Sequence, residues 1–414
     1  MTKNLSNVEY LKPFANEDLH FNIISKQNLI EKWFRNQWTK YPPPFYSSID
    51  IRNSGFKIAP VDTNLFPAGF NNLDKELEFL YISAIQHFME RISPEISKIL
   101  LITEDHTRNK FYISSIEALK SLIKKSGFDV NETKLIDLSL NLKSLNQKNN
   151  LLNVNGFIPD IIILNNDLSD GAPKSFEHIK QPILPNKNIG WNNRSKTDHF
   201  EYYSDITDNF SRLLEIDSWL IAPYFRNCGE IDFQTKQGEE CLIYNAKKLF
   251  HIIQEKYDEY GITEKPYIMI KADSGTYGMG IIMINDIDSL KNLNRKQRTK
   301  MSKIKGGNKL NSVILQEGIY SYEKFKPTNH VAEPVIYSFG HNLVGGFYRM
   351  HDLKNNSENL NSPGMSFHPI PFKEACLSPN LNETIFSDTN KFYIYGVIAR
   401  LAILAASKEI YNTE

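Results

Sequence analysis

Tyr267-Ile-Met-Ile-Lys271-Ala-Asp273-Ser274-Gly275-Thr276-Tyr277-Gly278-Met279-Gly280-Ile-Ile-Met-Ile284 is the stretch on which the fold turns. Two apolar runs of strand length flank a loop with three glycines, and Lys271 closes the first run. A glycine loop lets backbone N–H groups approach phosphate oxygens with no Cβ in the way. A lysine beside it supplies a point charge for an α- or β-phosphate. The G-x-x-x-x-G-K-[ST] pattern of a P-loop is absent, so the loop is not a P-loop. A plain β-hairpin with a surface lysine has the same pattern, so the reading depends on what surrounds it.

Downstream, Ser312-Val-Ile-Leu-Gln316-Glu317-Gly318 reads as a strand ending in a polar pair that suits an adenine edge. Val331 to Tyr337 and Leu343 to His351 read as neighbouring strands joined around Gly340, with Glu333 and Arg349 facing one site. A carboxylate there is a hard oxygen ligand for Mg²⁺, and an arginine fork suits a transferring phosphoryl group. Glu358, Asn359 and Asn361 then offer oxygens within four residues, enough to complete a Mg²⁺ shell alongside phosphates. Each pattern has an ordinary structural explanation. Their order is more specific: lysine and glycine loop, Gln-Glu strand end, strand Glu, strand Arg, Glu/Asn loop.

Upstream, the first 70 residues read as aromatic and turn-rich. Leu73, Leu77, Leu80, Ala84 and Phe88 make one apolar helix face. Ile99 to Ile102 reads as a buried strand, Ile113 to Lys125 as a helix capped by Gly127, the region of Leu135 to Leu138 as a second strand, and Ile158 to Leu164 as a third. That alternation predicts a parallel, doubly wound unit. The loop Glu104-Asp105-His106-Thr107-Arg108 has no glycine, which argues against a dinucleotide site. Lys187 to Asp208 reads as a polar crossover, Tyr244 to Tyr260 as a helix, and the final third as strands with one basic interruption and a C-terminal helix.

The 414 residues suit two or three domains. Lysine plus arginine and aspartate plus glutamate number 48 each, so no global field draws the chain to nucleic acid or an acidic membrane. The eight basic residues between Lys291 and Lys309 have no interleaved aromatics and read as a solvated helix. Cys228, Cys241 and Cys376 form no C-x-x-C pair, which predicts reduced thiols in a cytoplasmic protein. Met1 to Phe14 has no apolar core of a signal peptide, and Phe392 to Ala406 is too short to span a bilayer and reads as a buried helix. The ten histidines show no metal spacing.

Three longer segments carry a family resemblance: Val61-Asp62-Thr63-Asn64-Leu65-Phe66-Pro67-Ala68-Gly69-Phe70-Asn71-Asn72, Ile270 to Gly280, and Glu358-Asn359-Leu360-Asn361-Ser362-Pro363-Gly364-Met365. They resemble the proteobacterial glutamate–cysteine ligases over nearly the whole chain. The resemblance implies mixed α/β and α+β architecture: an ATP-grasp-like fold (206–414) preceded by an α/β pre-ATP-grasp substrate domain (1–205). It implies joining of the γ-carboxylate of L-glutamate to the amine of L-cysteine, with ATP and Mg²⁺, through a γ-glutamyl phosphate. Small molecules are then the partners, with a homo-oligomer admitted. Expected roles are Lys271, Ser274, Gly275, Gly278 and Gly280 at the phosphates, Gln316 and Glu317 at adenine, Glu333 at ribose or metal, and Arg349 at the γ-phosphoryl. Glu358, Asn359 and Asn361 are expected at Mg²⁺; Asp62, Asn64, Asn71 and Asn72 at the amino acids; Arg52, Arg194 and Lys196 at the glutamate α-carboxylate. Many ATP-grasp enzymes place an Asp ahead of a Glu-x-Asn metal set, and here that first carboxylate has no clear counterpart. Alternatives are another ligase of the same fold, such as a glutathione synthetase, or a non-catalytic nucleotide-binding protein.

Overall fold

The computed structural model describes residues 8–10, 16–105, 109–140, 145–146, 150–275, 280–301, 310–370, 372 and 378–413. Apolar β-branched runs build its parallel sheet. Ile99 to Ile102 and Ile161 to Leu164 are fully buried, as strands covered on both faces must be. Strands Asp129–Lys134, Lys98–Thr103, Ile161–Leu164 and Ile183–Leu184 lie side by side in that order, all parallel. The crossover helix Lys110–Lys125 starts at Asn109, whose side chain accepts from the Tyr112 N–H. Just beyond its end, Gly127 has φ +94°, a value that favours glycine.

Three sequence expectations shift. The second strand is Asp129–Lys134, and Leu135–Leu140 is a helix. Asp129–Lys134 is an edge strand that buries only Val130, so it carries no apolar run to announce it. The N-terminal region holds helices Glu17–Ser25 and Gln27–Trp38; the buried residues of the second recur every fourth position at Ile30, Phe34 and Trp38. The polar segment 187–208 is mostly helix, running Lys196–Leu214 from an N-cap at Ser195, and residue 205 lies inside it. Its exposed face is polar, while Phe200, Tyr203, Ile206 and Phe210 pack inward. The basic run supplies the short helix Arg295–Lys300, opened by a capping box between Asn294 and Gln297; residues 302–309 lie outside the described set.

Two antiparallel sheets hold the rest. The larger centres on His330–Phe339 and Asn342–His351, which turn at Gly340 (φ +58°) and put Glu333 directly opposite Arg349. The hairpin Tyr46–Asn53 and Ile58–Asn64 joins that sheet through His330–Phe339, so its strands come from both halves of the chain. At Gly346 a Cβ would stand 2.1 Å from the Val335 carbonyl oxygen, which is why no larger residue fits there. The smaller sheet runs Phe225–Cys228, Val313–Glu317, Ile268–Ala272, Ile281–Ile284, so the two apolar runs around the glycine loop pair as antiparallel neighbours.

The C-terminal helix, Asp388–Thr413, binds these layers together. From Phe392 to Ala406 every residue but Arg400 is fully buried. The helix lies against Lys196–Leu214 and beneath both strands of the N-terminal hairpin. Arg400 escapes the apolar surroundings through a two-pronged pair with Glu31 at 2.7 and 2.8 Å. Among the described residues no helix is long and apolar enough to cross a membrane. Leu401→Ala is expected to destabilise the protein by about 2–5 kcal/mol, the range for an emptied leucine site in a close-packed core, read by urea denaturation.

Candidate active site

The two antiparallel sheets face each other across a cleft of about 710 Å³, counted with its open mouth. The larger sheet contributes Asp50, Arg52, Asp62, Glu333 and Arg349. The smaller contributes Lys271 and Gln316. Lys196 enters from its helix N-terminus, and Asn359 and Asn361 from the loop beyond Arg349.

Alternation along the strands puts these groups on one face. Arg349 Nη1 donates to Asp50 Oδ2 at 2.7 Å and to Glu333 Oε1 at 2.8 Å. Arg52 Nε donates to the other oxygen, Glu333 Oε2, at 2.9 Å. Glu333 therefore bridges two guanidiniums and is itself buried. The rest of the Arg52 fork donates to the Tyr267 hydroxyl and to the Ile319 and Glu358 carbonyl oxygens. Across the cleft, Lys271 Nζ donates to Gln316 Oε1 at 2.5 Å and to the Val61 carbonyl oxygen at 2.8 Å. Lys196 Nζ meets Asp62 Oδ1 at 2.9 Å and rests 4.2 Å from the Trp191 ring centre. Both lysines thus hold the Val61-Asp62 pair.

The charges are unevenly matched. Apart from Glu317, which Lys57 neutralises, the lining has four cations against the carboxylates of Asp50, Asp62 and Glu333, one positive charge in excess. Burial drives the Lys271 ammonium down to about 8, with Asp62 pulling the other way. Burial opposes ionisation of Asp62, yet Lys196 and Lys271 outweigh it and hold that carboxyl at about 2. Burial would also raise Glu333, but Arg52 and Arg349 keep it below the usual carboxylate range. At Asp50 burial wins over Arg349, and its carboxyl is pushed up.

Two polar atoms of the cleft residues, one from each sheet, are buried without a protein partner: Gln316 Nε2 and Arg349 Nε. An unpaired buried donor costs about 1–3 kcal/mol, so a ligand offering acceptors fits here. The donor set suits a nucleotide: cations for phosphates, and a free amide N–H for a ring acceptor. Among the described residues no three carboxylate, histidine or cysteine side chains group to hold a metal. The amides of Asn359 and Asn361 are oxygen donors of the kind Mg²⁺ takes when phosphates supply most of its shell.

Other candidates stand elsewhere. Arg194 is buried behind the cleft, donating to Glu409 at 2.7 Å and to the Thr63 carbonyl oxygen at 2.8 Å. Glu317 touches the cleft, but its carboxylate accepts from Lys57 at 2.7 Å, Trp219 Nε1 at 3.0 Å and the Tyr224 N–H at 2.9 Å. The Glu358 carboxylate turns to Lys354 and the Asn355 N–H, both at 3.0 Å. Asn64 ends its strand outside the cleft. Asn71 and Asn72 sit in a short 3-10 turn against helix Lys110–Lys125 and also lie off the cleft. Gly275 lines the cleft; Ser274 and Gly280 flank it, and Gly278 lies outside the described residues. Asp50 and Lys57 went unnoticed in sequence. Asp50 lies in Ser47-Ser48-Ile49-Asp50-Ile51-Arg52, where its alternation with Arg52 was the available signal.

The glutamate–cysteine ligase family model matches residues 21–410, and the chain belongs to that family. Its members are ATP-dependent ligases, and so is this protein. A crystal structure from Methylobacillus flagellatus KT that carries the assignment gamma-glutamylcysteine synthetase is similar at 41% identity, covering 98% of this chain and 99% of that one, with a TM-score of 0.89. A glutathione synthetase-like effector from Globodera pallida aligns at 9% identity over 85% of this chain and 80% of that one, with a TM-score of 0.40, too remote to carry an argument. No curated protein matches the chain.

Glu333→Gln leaves two buried guanidiniums short of a counter-charge. It is expected to lower stability by about 3–5 kcal/mol, the usual cost of breaking a buried ion pair from one side, measured by urea denaturation against the parent protein.

Proposed function

We propose that this ligase phosphorylates the γ-carboxylate of L-glutamate with ATP and passes the acyl group to L-cysteine, and that the cleft between the two sheets is where it does so. The observation that carries the reading is that the cations Lys271, Arg349 and Lys196 converge on one cleft from both of its walls, beside two unpartnered donors. In this reading the two sheets clasp the nucleotide as the halves of an ATP-grasp fold do. Phosphate oxygens replace Val61 O and Gln316 Oε1 as the partners of Lys271. The backbone of Ser274, Gly275 and Gly280 borders the phosphates. The free Gln316 amide and the backbone beside Glu317 meet adenine, and Glu333 lies toward the ribose or metal. Lys196 holds the glutamate α-carboxylate, and Asp62 its ammonium. Arg349, fixed by Asp50 and Glu333, keeps its guanidinium in place as charge develops on the transferring phosphoryl group. Asn359 and Asn361 would hold Mg²⁺, which supplies charge neutralisation at the phosphates. The glutamate oxygen attacks the γ-phosphorus and ADP leaves. The cysteine nitrogen then attacks the acyl carbon, phosphate leaves, and the nitrogen loses a proton. Positioning and charge account for most of the rate.

Assaying ADP release with Mg²⁺-ATP, omitting each amino acid in turn and identifying the product by mass, tests this. Turnover is expected only with both amino acids, giving γ-glutamylcysteine. Equal turnover without cysteine would sink the assignment of the amine. Lys271→Ala and Arg349→Ala are each expected to lower kcat by about 10²–10³-fold, the usual cost of removing one preorganised donor.

The depressed Lys271 gives a pH signature. Its ammonium is charged below about 8 and neutral above, so ATP affinity in the free enzyme is expected to fall as pH rises through that value. In Lys271→Arg the guanidinium stays charged and the dependence flattens. Calorimetric titration of ATP from neutral to alkaline pH reads both; an unchanged slope in the arginine variant would point to another group.

A further inference from the structure

Away from the cleft, two thiols stand closer together than the sequence suggests. Cys228 ends the strand Phe225–Cys228 on the edge of the smaller sheet and is buried. Cys241 lies in the first turn of helix Glu239–Glu259 and is exposed. Their sulfurs are 3.7 Å apart. Asn245, one turn along the helix, points its Nδ2 at both, 3.2 Å from Cys228 Sγ and 3.3 Å from Cys241 Sγ. An amide donor shared by two sulfurs favours negative charge on either one and holds them in register.

We propose that Cys228 and Cys241 are a reversible disulfide site that takes small aliphatic disulfides, and that closing it weakens nucleotide binding at the adjoining sheet. The exposed Cys241 is the attacking group. Its thiolate adds to one sulfur of R–S–S–R, the S–S bond breaks, and one R–S⁻ leaves. Cys228 then gives up its proton and attacks Cys241 Sγ, expelling the second R–S⁻. The two protein thiols lose two electrons and two protons, and the small disulfide becomes two thiols. Burial, and next the neighbouring Cys241 sulfur, push the Cys228 thiol up to about 12, consistent with a resolving rather than an attacking role. The oxidant is at hand by class, because the thiol amino acid that this ligase joins becomes such a disulfide when oxidised.

Closure has a mechanical consequence. An S–S bond is near 2.05 Å, so the sulfurs draw in by roughly 1.7 Å. Residue 227, next in the strand, is tied to the root of the glycine loop: Asn227 Nδ2 donates to Asp273 Oδ2 at 3.0 Å and to Thr197 Oγ1 at 2.8 Å. Asp273 in turn accepts from the Thr197 N–H at 2.8 Å, and its carbonyl oxygen accepts from the Lys196 N–H. Pulling the strand end toward the helix strains the link between Lys271 and Lys196.

The test uses the full chain in a Cys376→Ser background, treated with 2-hydroxyethyl disulfide. The expected result is loss of two hydrogens by intact mass, a 228–241 cross-linked peptide, and a several-fold weaker ATP dissociation constant restored by dithiothreitol. Cys241→Ser, at an exposed position, should abolish all three while binding ATP normally. Retention of both thiols, arrest at a stable mixed disulfide on Cys241, or closure with unchanged ATP affinity would each overturn the proposal. All three readouts are taken without turnover, so they stand or fall separately from the amino-acid assignment.

Discussion

A single buried carboxylate sets the geometry around which the site is arranged. Glu333 lies between Arg52 and Arg349, and Arg349 reaches on to Asp50. Charges removed from water are costly, and their mutual attraction offsets that cost only with close geometry and further hydrogen bonds. Both conditions hold: Arg52 also satisfies the Ile319 and Glu358 carbonyl oxygens, and so pins the loop that carries Asn359 and Asn361. The chain of charges thereby fixes three segments distant in sequence. Such a network is weak evidence for stability in itself; its value lies in holding one guanidinium edge in a set orientation.

The opposite wall has another logic. Lys271 and Lys196 come from different elements yet converge on Val61 and Asp62. Their proximity keeps Asp62 ionised and burial keeps Lys271 easy to deprotonate. A cleft with one excess positive charge and two unpartnered donors favours an anionic ligand with acceptors. The hydrogen bonds its lysines make within the chain are of the kind phosphate and carboxylate oxygens can replace.

The framework is rigid where the chemistry needs it. The C-terminal helix fills the space behind the hairpin bearing Asp50, Arg52 and Asp62. Glu409 on that helix pairs with Arg194 and with His199, so the turn leading to Lys196 is braced from behind. Residues that sequence inspection places near a substrate, such as Arg194, instead support those that line the cleft.

The sequence alone determined the strand pairs around Lys271 and around Gly340, because apolar periodicity and glycine placement are local properties. It also placed Glu333 and Arg349 on a shared face, since adjacent strands of a short hairpin leave little freedom of register. The polar edge strand Asp129–Lys134 and the helix Lys196–Leu214 stayed hidden, because tertiary contacts rather than an apolar run define them. What only the tertiary structure decided is which charges are already matched. Arg52, Arg194 and Glu317 look like ligand-binding groups in a linear reading, and each is engaged by a residue far away in the chain. Pairing of buried charges depends on distances of a few ångströms across the fold, and no spacing along the sequence encodes them.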